Sequence, residues 1–192
     1  MRKLIKAAGV LAAAGILLTT TLPAATADEV NSTISGGSLT STTSGANLSG
    51  VTLYGTNKAA TGTSSSPWSI SDSRGTGQAW TLSVTATVPT SAAGTVETTA
   101  RTIPVSNLTV TPGTLTAGSG ADPAAGISAP ALAMSGLAQA LVTSAGGNRG
   151  TYALTPTYSL AVPANTYRSN YFGAVGSTAL LPYISTLTYT IS

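Results

Sequence analysis

The chain contains no cysteine and no histidine. The first absence excludes disulfide staples, so the folded domain has to hold itself together by packing and hydrogen bonds. Together the two absences remove the commonest general base, the thiolate nucleophile and the usual zinc ligands. Charge is also scarce, at 7% of 192 residues, and the carboxylates are not clustered as a calcium site requires. There is a single phenylalanine, and Thr, Ser, Ala and Gly dominate. A composition rich in Thr and poor in Glu and Lys favours strands over helices.

These absences bear directly on catalysis. A Ser-Lys dyad would have to use Lys58, which lies in a Gly/Ser/Thr-rich stretch. A glycosidase pair would have to come from Asp72, Glu97 and Asp122, none of which sits in a recognisable motif. No catalytic residue, no metal site and no cofactor is therefore expected, and the chain reads as a non-enzyme.

The N-terminus has a different character. Arg2, Lys3 and Lys6 precede an apolar run from Ala7 to Leu18, and Ala25-Thr26-Ala27 is an A-x-A cleavage site. This is the pattern of a secretory signal peptide, residues 1–27. A membrane-spanning helix needs about 20 apolar residues, and the run breaks at Thr19-Thr20-Thr21 and Pro23. Cleavage after Ala27 removes three basic residues and no acidic one. The mature chain is then near neutral, with no basic patch to bind nucleic acid and no membrane span expected. Its length suits one domain with its own core.

Residues 28–50 form a Ser/Thr/Gly-rich arm, read either as a flexible leader or as a first edge strand, and a β domain is expected over 51–192. The organising stretch is Trp68–Val88. Trp80, Leu82, Val84, Ala86 and Val88 alternate with polar residues, the period of a half-buried strand. Trp68 and Ile70 alternate in the same way before a turn carrying Asp72, Arg74, Gly75 and Gly77, so a hairpin is expected. Val51 and Leu53 suggest a short strand, and Thr56–Pro67 reads as loop. Ile103, Val105, Leu108 and Val110 are out of phase unless a bulge lies near Ser106. Leu132–Val142 is ambiguous between strand and a short helix that Gly136 disfavours. Tyr152, Leu154, Tyr158, Leu160 and Val162 share a face, interrupted by Pro156. Tyr183, Leu187, Tyr189 and Ile191 share another. The fold class expected is all-β, an antiparallel sandwich or barrel-like domain with at most one short helix.

The stretch DSRGTGQAWTLSV resembles the first signature of the WxL domain of Gram-positive cell-surface proteins, with Trp80 and Leu82 at the W-x-L positions. TYSLAVP stands where such a domain carries its distal W-x-L, with Tyr158 in place of tryptophan before Leu160. VPANTY and the closing STLTYTIS extend the resemblance across an insertion at Phe172–Pro182. The resemblance implies a secreted protein of the cell wall or cell surface that binds peptidoglycan, another cell-wall glycan, or another surface protein. With no LPxTG-type sorting signal in the sequence, retention is expected to be noncovalent.

Trp80, Leu82, Tyr158 and Leu160 are the candidate binding motif, as contact residues or as core. Alternation places them on the apolar face, where large aromatics bury, and contact stays open. Asp72 and Arg74 are expected to cap or bridge their turn. Trp68, Tyr54, Tyr167 and Tyr171 are candidates for an exposed stacking surface for sugar rings. The alternative function is a structural subunit of a surface layer or filament that assembles through β-strand edges.

Overall fold

Alternating small, β-branched and aromatic residues carry the chain through strands from Leu39 to Ile191. The computed structural model describes residues 31–192 and contains no α-helix among them. The signal-peptide pattern, 1–27, lies outside the described residues. Among those residues no helix is long and apolar enough to cross a membrane, a statement that concerns helices only.

The first strands are β1 (Leu39–Thr42), β2 (Lys58–Thr63), β3 (Trp68–Asp72), β4 (Trp80–Ala86), β5 (Thr90–Ser91) and β6 (Arg101–Thr102). The middle of the chain adds β7 (Leu108–Thr111), β8 (Thr116–Ala117), β9 (Ile127–Ser128), β10 (Leu132–Ala133) and β11 (Gln139–Ser144). It closes with β12 (Gly150–Leu154), β13 (Thr157–Val162), β14 (Asn170–Tyr171), β15 (Leu180–Leu181), β16 (Tyr183–Ile184) and β17 (Leu187–Ile191). All pairings are antiparallel.

Two sheets, ordered β1-β3-β12-β8 and β2-β13-β7-β10, continue each other end to end. β3 follows β2 along the chain and β13 follows β12, and the ladder passes from Trp68 opposite Leu154 to Thr63 opposite Thr157. At the break Ser64–Pro67 faces Thr155–Pro156, two prolines that cannot donate to a ladder. The amide of Ser64 donates to the Pro156 carbonyl across it at 2.9 Å. The facing sheet is β17-β4-β11-β9. The result is an all-β, sandwich-like fold, with no closed barrel among the described residues.

The core lies between these layers. Trp68 meets Tyr189 edge-on at 4.7 Å between ring centroids, and Trp80 tilts against Tyr152 at 6.4 Å. Both pairs join one layer to the other. A register shift between Ala140 and Val142 opposite β4 turns Leu141 and Val142, consecutive residues, both into the core.

Several local expectations are corrected. Trp68–Val88 is not a hairpin: β3 pairs with β1 and β12, whereas β4 pairs with β11 and β17 in the facing sheet. Ser73–Ala79 is an arch that carries the chain across the sandwich, so the two indoles enter the core from opposite layers. Val88, past the end of β4, is 45% exposed. The stretch read as loop contains β2, whose small side chains hide its alternation. Val51 and Leu53 form no strand and instead pack against the core from an irregular segment. The phase shift near Ser106 is made by a 3-10 turn, Val105–Asn107, rather than a bulge. Leu132–Val142 holds all of β10 and the start of β11, and no helix. Within the arm, Leu39–Thr42 is an edge strand on β3.

Candidate functional site

The two layers part at the end far from the arch and leave an open groove of about 1290 Å³. Tyr158, Leu160 and Val162 face it from β13 because alternate residues of a strand share a face. Leu187 and Tyr189 of β17 form the opposite wall, and Leu48, Val51 and Leu53 close one side. Arg101 and Arg168 stand among its lining residues.

Ser44 holds the groove's side segment to the core. Its carbonyl accepts hydrogen bonds from Trp68 Nε1 at 2.9 Å and from the Tyr158 hydroxyl at 3.1 Å. Its own hydroxyl donates to the Ser66 carbonyl at 2.8 Å. The Tyr158 hydroxyl also lies 3.4 Å from that of Tyr189. Burial pushes the pKa of both phenols up, and for Tyr189 the hydrogen bond with Tyr158 adds to it. Both tyrosines are therefore neutral hydrogen-bonding posts. Nothing about a lone serine in a Ser/Thr/Gly arm marks it in the sequence.

Above the groove sits a charged cluster contributed by distant parts of the chain. Glu97 Oε1 accepts from Arg101 Nη2 and Arg168 Nη2, each at 2.8 Å, and Oε2 accepts from Arg168 Nη1 at 2.9 Å and from the Tyr171 amide at 2.6 Å. The Arg168 bonds, then the Tyr171 amide, hold the Glu97 carboxyl down at about 2. Two guanidinium groups against one carboxylate leave net positive charge. The Arg101 and Arg168 guanidiniums also lie over the rings of Tyr167 and Tyr171, at 5.3 and 4.2 Å. Tyr167, a lining residue of the groove, is 71% exposed, so the rim offers aromatic surface to solvent. The sequence does show Glu97 and Arg101 four residues apart. The contribution of Arg168 depends on the tertiary fold.

The W-x-L positions do not form one surface. Trp80 and Leu82 are 2% and 0% exposed in β4, with the Trp80 indole nitrogen 3.4 Å from the Asn148 carbonyl. Tyr158 and Leu160 lie in the other layer, also buried, with their inward faces on the groove. Of the residues considered for sugar stacking, Trp68 is 1% exposed and belongs to the core. The indole is apolar, its one donor is satisfied by Ser44, and β3 turns it inward. Tyr54 is exposed beside Lys58, away from the Tyr167 cluster in sequence and partner.

Asp72, Arg74, Gly75 and Gly77 build the arch. Arg74 grips the fully buried Asp72 carboxylate through Nε and Nη2, both at 2.9 Å, and its Nη2 also donates to the Gln78 carbonyl at 3.0 Å. The Arg74 side chain holds the Asp72 carboxyl below its ordinary range. Gly75 and Gly77 have φ of 73° and 65°, and the Gly77 carbonyl accepts from the Gly147 amide at 2.8 Å. That bond stacks the arch on the return crossing from β11 to β12.

No protein-family model matches the sequence, and neither a curated protein nor a solved structure matches the chain.

Proposed function

We propose that this is an exported, non-catalytic surface protein that associates noncovalently with the Gram-positive cell wall, through its peptidoglycan or through a partner protein displayed there. The observation that carries the reading is the open groove with its exposed aromatic and arginine-bearing rim. Tyr167 offers a flat apolar face of the kind on which sugar rings stack, and the net positive charge beside it suits carboxylate-bearing peptides. The signal-peptide pattern and the WxL resemblance point the same way. The three described carboxylates support a non-catalytic role: Asp72, Glu97 and Asp122 are each ion-paired to arginine and held in the charged form. None is poised to give or take a proton near neutral pH.

Sedimentation of the purified mature chain with isolated peptidoglycan tests the reading. Co-sedimentation that saturates, and that weakens in Tyr167→Ala, is the expected result. Protein that stays in the supernatant at every wall concentration overturns wall binding.

A second reading, a structural subunit that assembles through strand edges, is favoured by one feature. β17 ends its sheet, and its Leu187 and Tyr189 alternate with the residues that bond to β4. Their backbone N–H and C=O groups point away from β4 and have no backbone partner among the described residues, leaving an edge open to another strand.

A further inference from the structure

We propose that the N-terminal arm of one mature chain, residues 28–35, adds as a strand to β17 in the groove of a second copy. The inference rests on the strand-edge reading above and goes further by naming the occupant. Three observations meet at this groove. The unpaired backbone of Leu187 and Tyr189 lies along an opening whose floor is the apolar inner face of β13, so one extended segment can join the ladder and cover the floor together. The arm has the matching pattern. Val30, Ser32 and Ile34 fall on one face of an extended chain, Ile34 is 93% exposed, and Asn31–Ser35 make no hydrogen bond with another described residue. Asp28 and Glu29 precede them, acidic residues for the rim where Arg101 and Arg168 outnumber Glu97.

The place where the folded part of the chain begins makes the partner a second copy. Gly37 donates to the Ser73 carbonyl at 2.7 Å, which ties the start of the folded chain to the arch. β1 then runs from Leu39, opposite Asp72, toward Ser44 and the groove. The folded part of the chain therefore begins at the end of the sandwich opposite its groove. An arm-to-groove contact between copies is heterologous, and repetition of it gives an open chain of subunits rather than a closed dimer.

The test is sedimentation velocity of the mature chain over a range of concentrations, beside Ile34→Asp and Leu180→Glu. Both substituted side chains are largely exposed, and Leu180 lines the groove, so neither change should alter the melting temperature. Wild-type protein is expected to form concentration-dependent oligomers larger than dimers. Each variant should need about tenfold or more protein to reach the same state. A synthetic peptide of residues 28–35 should dissociate the wild-type oligomers. Oligomers that persist unchanged in Ile34→Asp would overturn the arm as occupant while leaving strand-edge assembly standing. A wild-type chain that stays monomeric at all concentrations and ignores the peptide would overturn both.

Discussion

Trp80→Ala removes an indole that is 2% exposed and touches the facing layer, and truncating a buried tryptophan costs about 3–5 kcal/mol. That is a large share of the roughly 5–15 kcal/mol that stabilises a domain, so a urea titration should show the midpoint collapsing. Tyr167→Ala, at a solvent-facing ring, should stay within about 0.5 kcal/mol of wild type. Glu97 sets a pH dependence whose sign is fixed by its lowered pKa. The unfolded chain titrates this carboxyl near 4.5 and the folded chain at about 2. The unfolded state therefore binds the proton first as pH falls, so the stability Glu97 contributes is complete above 4.5 and is lost between 4.5 and 2. Thermal melts across that window should show the decline, and Glu97→Gln should flatten it. A Glu97→Gln protein with an unchanged acid profile would remove the cluster from the account.

A backbone change where the β11–β12 crossing meets the arch between β3 and β4 should be costly. Gly146, at φ 115°, lies against the Gly77 carbonyl, and an added Cβ would sit 3.0 Å from that oxygen in a conformation L-residues avoid. Gly146→Ala should cost about 1–3 kcal/mol. Gly45→Ala meets nothing within 4 Å and has no such φ, so it should be neutral or stabilise by up to about 1 kcal/mol through the unfolded chain. Denaturant melts of the two variants separate arch strain from a general glycine effect. Elements with strong alternation are legible in the sequence: β4, β12, β13 and β17 all show their apolar faces. β2 is not, because Ala59, Ala60 and Gly62 give no contrast between faces. Gly62 is there because a Cβ would run into the Asn47 carbonyl, a demand visible only once the chain has folded. The arch looks like a hairpin in the sequence because period-2 patterning says which residues face inward and is silent about which sheet a strand joins.

At the scale of the molecule, the all-β class followed from composition and turn spacing, while the groove had no signature. Its floor uses the same Tyr158, Leu160 and Val162 alternation as any core strand, and its rim joins Glu97 and Arg101 to Arg168 across the fold. Export should be visible as a secreted protein whose N-terminal sequence begins at Asp28; an intact Met1 in the membrane fraction would contradict it. The central claim is that the W-x-L residues hold the fold while the groove rim makes the contact. The direct measurement is peptidoglycan co-sedimentation beside a urea melt, on the same preparations of wild type, Trp80→Ala and Tyr167→Ala. The account predicts that Trp80→Ala loses fold and binding together, while Tyr167→Ala melts like wild type and binds weakly. A Trp80→Ala protein of normal stability that no longer binds would contradict it and make Trp80 a contact residue.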